Sequence, residues 1–311
     1  SSYFSGNTVQ ICPVGALTAA PFRFKARPWD LTEVESTSTF DSVGSRVSVQ
    51  ESRDRVLRFM GVDSDCVNWG WLTDKERFIF EAYSNENRLA EPLITNELTE
   101  GKKSQFVATS WSEAYEKFTN VIAETTPERI AVIGGARLTN EAQYVWSKIT
   151  KGIIGTDNVD AQLDDGFSPE VLFSLNPATI DETCEPGGVI ILLGADPKEE
   201  LGTLYLRLRH AIVQDQCKLI ELTPTKTGLS KLATHSIRVP PGKTFEAVKA
   251  LSGESSEFED DILKELLEVR KILKKSDSVS VLFGRTSLAE TSSILEEGAI
   301  ALQEYLPKAS F

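Results

Sequence analysis

Residues 189–193 read Val-Ile-Ile-Leu-Leu, an apolar run with no polar residue at any alternate position. A strand of that kind must be covered on both faces, which is the situation inside a parallel sheet. Leu201, Leu204, Tyr205, Leu208 and Ile212 then recur at helical spacing, and Leu219–Leu222 returns as a second apolar strand. Strand, helix, strand at this separation predicts a βαβ unit with a right-handed crossover.

The same grammar extends to both sides. Downstream, Ile237-Arg238-Val239 before Pro240-Pro241-Gly242 predicts a short edge strand. Ile262, Leu263, Leu266, Leu267, Val269 and Leu273 give a helical stripe behind the solvated acidic stretch 254–261. Val279–Phe283 and Leu288–Leu306 read as a last strand and a last helix. Upstream, Ser110 with Glu113 makes a capping box. It opens a helix carrying Trp111, Ala114, Tyr115, Phe118, Val121 and Ile122 on one face. Ile130–Ile133 is a short strand. A further helix starts near Asn140, with Ala142, Val145, Trp146 and Ile149 on its inner side and Gly152 as its stop. Before these lies a different pattern. Arg46–Met60 alternates as a hairpin turning at Ser52-Arg53-Asp54, and Asp74–Phe78 closes it as a short helix. Residues 21–28, with proline at both ends, read as an extended connector. Its Arg23 and Arg27 are expected to stack on neighbouring aromatic rings, with steering toward a cluster or an acidic partner as the alternative.

The expected fold class is therefore α/β: a small β-rich domain followed by a Rossmann-like, mostly parallel α/β domain. The expected divisions are residues 1–31, the tail of a small domain with its connector, then 32–92, the β-rich domain, then 93–311.

Composition narrows the function. With 33 Lys and Arg against 46 Asp and Glu, the net charge of −13 argues against a nucleic-acid or anionic-membrane partner. No apolar run is long enough for direct membrane insertion. No signal peptide opens the chain. The four cysteines, Cys12, Cys66, Cys184 and Cys217, form no CxxC pair, and two histidines make an imidazole-rich metal site implausible. No GxGxxG or P-loop spacing follows a strand, and no nucleophile elbow or HExxH helix occurs. At Gly194-Ala195-Asp196-Pro197, Asp196 reads as a helix N-cap with Pro197 in the first turn. No catalytic residue is expected.

One short stretch carries chemistry. In Cys12-Pro13-Val14-Gly15-Ala16-Leu17 a cysteine precedes proline and small apolar residues, as where ferredoxin-type segments present a thiolate to a 4Fe-4S cluster. Three further thiolates are expected upstream of Ser1. An ordinary small core cysteine is the competing reading.

CPVGAL at 12–17, ARPWDL at 26–31, ESTSTFDSVGSRVSV at 35–49, WLTDKERF at 71–78, RLAEPLI at 88–94 and SWSEA at 110–114 follow one another in order. This series resembles the G-subunit of NADH-quinone oxidoreductase, the large iron–sulfur subunit of respiratory complex I. GGARLTNEAQYVWSK at 134–148, GTDNVDAQL at 155–163 and LYLRLRHA at 204–211 resemble the molybdopterin-oxidoreductase-type domain of that subunit.

The resemblance implies a relay of electrons from NADH-reduced flavin toward quinone through 4Fe-4S clusters, with Cys12 as one cluster ligand. It implies other peripheral-arm subunits of complex I as partners. It also implies a peripheral location on the cytoplasmic side of the bacterial inner membrane, or on the mitochondrial matrix side. The family continues beyond both ends of this chain. Many bacterial relatives hold a further, off-path cluster on four cysteines in the small β domain. The matching positions here are Ser38, Asp41, Ser45 and Thr73, none a thiolate donor, so that site is expected to lack a cluster. No molybdenum cofactor is expected, since no position is assigned as its ligand. A non-redox scaffold within the same complex is the alternative function, and a molybdopterin-dependent oxidoreductase such as a formate dehydrogenase is a third.

Overall fold

A computed structural model describes residues 2–83, 88–95, 105–135, 138–161, 167–284 and 291–311. The chain divides into two compact units, Ser1–Phe80 with Gly166–Phe311, and Glu81–Asp165.

The first unit begins with helix α1 (Ser5–Gln10). Strands β1 (Thr32–Thr37), β2 (Arg46–Ser52) and β3 (Arg55–Gly61) form an antiparallel sheet in that order. The hairpin expected over 46–60 is present, and Arg53 and Asp54 both take positive φ, 53° and 59°, as a two-residue primed turn requires. β1 is an exposed edge strand whose Thr-Glu-Val-Glu-Ser-Thr sequence carries little apolar signal. Helix α2 (Asp74–Phe78) is capped by Thr73, and α3 (Phe80–Tyr83) follows it directly. Residues 20–25 are a series of turns, not the expected extended connector, with Phe24 at φ +65°. Stacking on Phe22 comes from Arg58, 4.1 Å from the ring centroid, and Arg23 and Arg27 are exposed.

The second unit holds the hairpin β4 (Leu93–Thr95) and β5 (Phe106–Ala108), then α4 (Trp111–Ala123). The Ser110–Glu113 capping box forms as expected. β6 (Val132–Ile133) pairs in parallel with β7 (Val159–Asp160), and α5 (Asn140–Ser147) lies between them in sequence. Gly152 does not stop that helix. The chain continues through a π-helical stretch, Lys148–Ile154, and leaves it at Gly155, whose φ of +79° only glycine adopts at low cost. Val145 and Trp146, expected to face inward, stay 51% and 43% exposed. Two-residue strands offer too little sheet surface to cover them.

The remainder of the first unit is the α/β body. Helices α6 (Pro169–Ser174) and α7 (Ile180–Thr183) lead into β8 (Val189–Leu193). Next come α8 (Pro197–Glu200), α9 (Gly202–Val213), β9 (Lys218–Thr223), β10 (His235–Arg238), α10 (Thr244–Ser252), α11 (Asp260–Leu273), β11 (Val279–Phe283) and α12 (Ser292–Tyr305). The sheet order is β10-β9-β8-β11, every pairing parallel, and β10 is at the edge as expected. The first residues of the expected last helix lie outside the described residues. All of β8 is buried. Val189, Ile191 and Leu193 pack toward α10, α11 and α12, while Ile190 and Leu192 join Leu204, Leu208 and Ala211 of α9. Each fully buried Leu or Ile there contributes ~1.5–3 kcal/mol. Asp196 caps α8 and Pro197 takes its first position, as read from the sequence.

One polar residue enters this sheet. Glu221 of β9 is fully buried, but Thr227 and Ser236 donate to its carboxylate and Arg238 lies 3.8 Å away. It is a satisfied structural carboxylate.

Candidate functional site

Helix α1 positions Cys12, and the small domain positions α1. Leu72 N–H donates to Asn7 Oδ1 at 3.0 Å while Asn7 Nδ2 donates to Leu72 O at 2.9 Å, so the amide pairs like a strand residue. Gln10 does the same with Gly61, donating to its carbonyl and accepting from its N–H, both at 2.9 Å. Buried Arg77 donates to both amides, at 2.7 Å to Asn7 and 2.8 Å to Gln10. The approach is tight. A Cβ on Gly6 would stand 2.4 Å from the Arg77 side chain, and one on Gly61 would stand 1.9 Å from the Gly70 carbonyl oxygen.

Cys12 follows this helix and is partly exposed. The chain curls back at Gly15, φ +64°. The backbone N–H of Leu17 most of all, with those of Val14, Ala16 and Gly15, lowers the Cys12 thiol from its ordinary value against a smaller opposing effect of desolvation. Backbone donors near a sulfur favour its thiolate form. Beside it opens a cleft of about 1240 Å³ lined by Gln10, Cys12, Leu17, Phe22, Arg58 and Arg77, among others. The other cysteines differ. Burial pushes Cys184 up to about 11 and raises Cys217 as well, and Cys217 donates to the Glu185 carbonyl. Cys66 is exposed.

The four positions matched to a second cluster, Ser38, Asp41, Ser45 and Thr73, are all buried or half-buried in the small domain. Ser38 N–H donates to Ser45 O at 2.8 Å, and Asp41 Oδ1 accepts from Val43 N–H, so residues 38–45 close as one loop. Opposite stands Glu76, fully buried on α2. One of its oxygens, Oε2, accepts from Thr73 N–H, Thr73 Oγ1 and Thr203 Oγ1 at 2.8–2.9 Å. Burial, with the Glu76 carboxylate nearby, raises Asp41 to about 6. Among the described residues, Asp41 Oδ2, Ser45 Oγ and Glu76 Oε1 have no protein partner. Sequence reading missed Glu76. Its one signal was the Thr73-x-x-Glu76 capping box, which says nothing of burial. With hydroxyls and carboxylates only, this pocket does not fit a 4Fe-4S cluster, whose iron binds thiolate sulfur.

At the end of β8 the one carboxylate, Asp196, is engaged by the protein's own backbone. Asp196 accepts from Lys198 and Gly228 N–H, and the Lys198 side chain lies where a Cβ of Gly228 would stand. Cys184 and Cys217 precede β8 and β9, at the opposite edge from that where such sheets bind ligands. Among the described residues, no group of three His, Cys, Asp or Glu side chains is placed to hold a metal ion, and no helix is long and apolar enough to cross a membrane.

Two known protein families match stretches of this chain. The molybdopterin oxidoreductase family matches residues 88–257, and the NADH-ubiquinone oxidoreductase NDSU1/NuoG-like 4Fe-4S domain matches residues 31–81. The G-subunit of NADH-quinone oxidoreductase from Mycobacterium bovis is 33% identical over 248 residues, 78% of this chain and 30% of that protein. Its namesake from Streptomyces coelicolor is 32% identical over 272 residues, 81% of this chain and 32% of that protein. The alpha subunit of NADPH-Fe(3+) oxidoreductase from Geobacter sulfurreducens is 28% identical over 255 residues, 80% of this chain and 29% of that protein. The chain thus spans about a third of the length of these relatives. Acetylene hydratase from Pelobacter acetylenicus shares the fold, with a TM-score of 0.57 at 13% identity over 87% of this chain and 42% of that chain.

Proposed function

The chain belongs to the family of the NADH-quinone oxidoreductase G-subunit, and we propose that it works in electron transfer, with Cys12 as a thiolate ligand of a 4Fe-4S cluster. The observation that carries this reading is the placement of Cys12, partly exposed beside an open cleft just after the pinned helix α1, with backbone N–H groups that lower its thiol from the ordinary value. Such donors stabilise a thiolate, and around a ligated sulfur they tune the reduction potential of the iron. In this reading the remaining thiolates lie upstream of Ser1 in the intact subunit, in keeping with Cys66, Cys184 and Cys217 forming no metal-binding group with Cys12 among the described residues. When bound, the cluster supplies one-electron chemistry. The protein holds the Cys12 backbone rigid through Asn7, Gln10 and Arg77 and leaves the sulfur beside an open cleft. No general acid, base or nucleophile is needed for such a relay.

The finer assignment runs from NADH-reduced flavin toward quinone within a proton-pumping complex, with peripheral-arm subunits as neighbours. It rests on the relatives' names. So does placement on the cytoplasmic or matrix side of the membrane. The match that begins at residue 31 supports the division at 31/32, while the second division, at 92/93, lies just inside the match over 88–257. The α/β body acts as scaffold in this reading, and at the end of β8 Asp196 is held by the protein's own backbone.

The test is Cys12→Ala in the intact subunit. One 4Fe-4S electron paramagnetic resonance signal should vanish or change grossly while the rest persist. Unchanged spectra would overturn the assignment of Cys12. Serine at Cys66, Cys184 or Cys217 should leave every signal in place.

A further inference from the structure

The pocket of Ser38, Asp41, Ser45 and Thr73 has been rebuilt in oxygen. The Glu76 carboxylate is near enough to raise that of Asp41, and neither makes a salt bridge among the described residues. One carboxylate oxygen of Glu76 is saturated by three donors from Thr73 and Thr203, which fixes the group's orientation and leaves Oε1 free. Ser45 Oγ, on a residue with no exposed surface, and Asp41 Oδ2 are likewise unpartnered. Asp41 Oδ1 is held by Val43 N–H, and Ser38 Oγ accepts from Phe40 N–H. Both carboxylates are therefore anchored by one oxygen and leave the other unused.

Unpartnered buried polar atoms are costly, and like charges brought together out of water cost more. A cation answers both costs at once. Oxygen-only ligands with two negative charges suit a hard divalent ion such as Ca²⁺ or Mn²⁺, and they are poor donors for soft iron–sulfur or zinc chemistry. We propose that Asp41, Glu76 and Ser45 form a binding site for a hard divalent cation, which holds the 38–45 loop against helix α2 at the place where relatives carry a cluster. This site is independent of Cys12 and of any electron-transfer role.

The test uses the full chain stripped with chelator, titrated with Mn²⁺ and followed by loss of the free-ion paramagnetic signal, with Ca²⁺ as competitor. The expected result is one saturable equivalent below ~100 µM, displaced by Ca²⁺. Asp41→Asn should weaken it by ~10-fold or more, because ligand charge sets the affinity of such sites. A chain carrying Asp260→Asn and Asp261→Asn, exposed at the start of α11, should bind as the parent does. Glu76→Gln should also lose the ion, and Asp41→Asn carries the test should that variant not fold, since Asp41 is only partly buried. No saturable equivalent up to ~1 mM, or equal uptake by the parent and Asp41→Asn, would overturn the proposal.

Discussion

Thr203, on the first turn of α9, donates a hydrogen bond of 2.9 Å to the carboxylate of Glu76, 127 residues earlier in the chain. Both residues are buried, and the bond ties the small β domain to the α/β body. Nearby, Gly202 lies against the Thr73 methyl, where a Cβ would come within 2.4 Å. Thr203→Val keeps the shape and removes the donor. It should cost about 1–3 kcal/mol in urea unfolding, because Glu76 loses one of its three donors without gaining water.

Arg207, one turn further along α9, is 3% exposed. It donates to the carbonyls of Asp65 and Val67, pairs with Asp181 and lies 3.9 Å from the Trp69 ring centroid. Arg207→Lys keeps the charge but cannot reproduce a planar fork with stacking. The expected loss is about 2–4 kcal/mol, seen as a lower midpoint in the same unfolding experiment.

The hairpin turn can be improved. Arg53 and Asp54 pay for positive φ that Asn and Gly adopt readily. Replacing the pair by Asn-Gly should raise stability by about 1 kcal/mol, measured as a higher Tm with an unchanged circular dichroism spectrum.

Thiol reactivity should rank by electrostatics. Backbone donors hold Cys12 below its usual value of 9.0, whereas burial lifts Cys184 to about 11. Since thiolate fraction falls tenfold per unit, Cys12 should be alkylated at pH 7.5 on the order of 100-fold faster than Cys184 in the iron-free chain. Mass spectrometry of timed iodoacetamide reactions reads this directly. Equal rates would mean that burial does not hold the Cys184 thiol protonated.

Asp41 makes stability depend on pH with a definite sign. Its folded value, about 6, lies above the ordinary carboxyl value of 3.8, so between those limits the folded chain binds more protons than the unfolded one. Stability of the chelator-treated protein should therefore fall as pH rises from about 4 to about 6. Asp41→Asn should remove that slope and be more stable at pH 7 by about 1 kcal/mol, a figure reduced for partial exposure. Chemical denaturation across that range measures it.

How much of this was readable in advance depended on the range of the forces involved. The strands 189–193, 219–222 and 279–283, the α9 stripe, the Ser110 and Asp196 caps and the turn at 52–54 are set by neighbours a few residues apart, so periodicity and capping chemistry exposed them. β1 escaped, because its strand character comes from pairing with β2 and not from its own polar sequence. The exit at Gly155 in place of Gly152 escaped because a π-helical stretch shifts the phase of the turn.

By itself the sequence determined the class of the fold, the family, and the residue types available to hold a metal: one cysteine before a proline, and oxygen at all four positions of the second site. Tertiary structure alone decided that Glu76 is buried beneath Thr73 and Thr203, that Thr203 and Arg207 bind the two parts of the first unit, and that Cys12 is left partly exposed beside a cleft. Composition and spacing encode what a side chain can donate or accept. Burial and convergence depend on contacts between segments far apart in the chain, and only the folded backbone brings those segments within hydrogen-bonding distance.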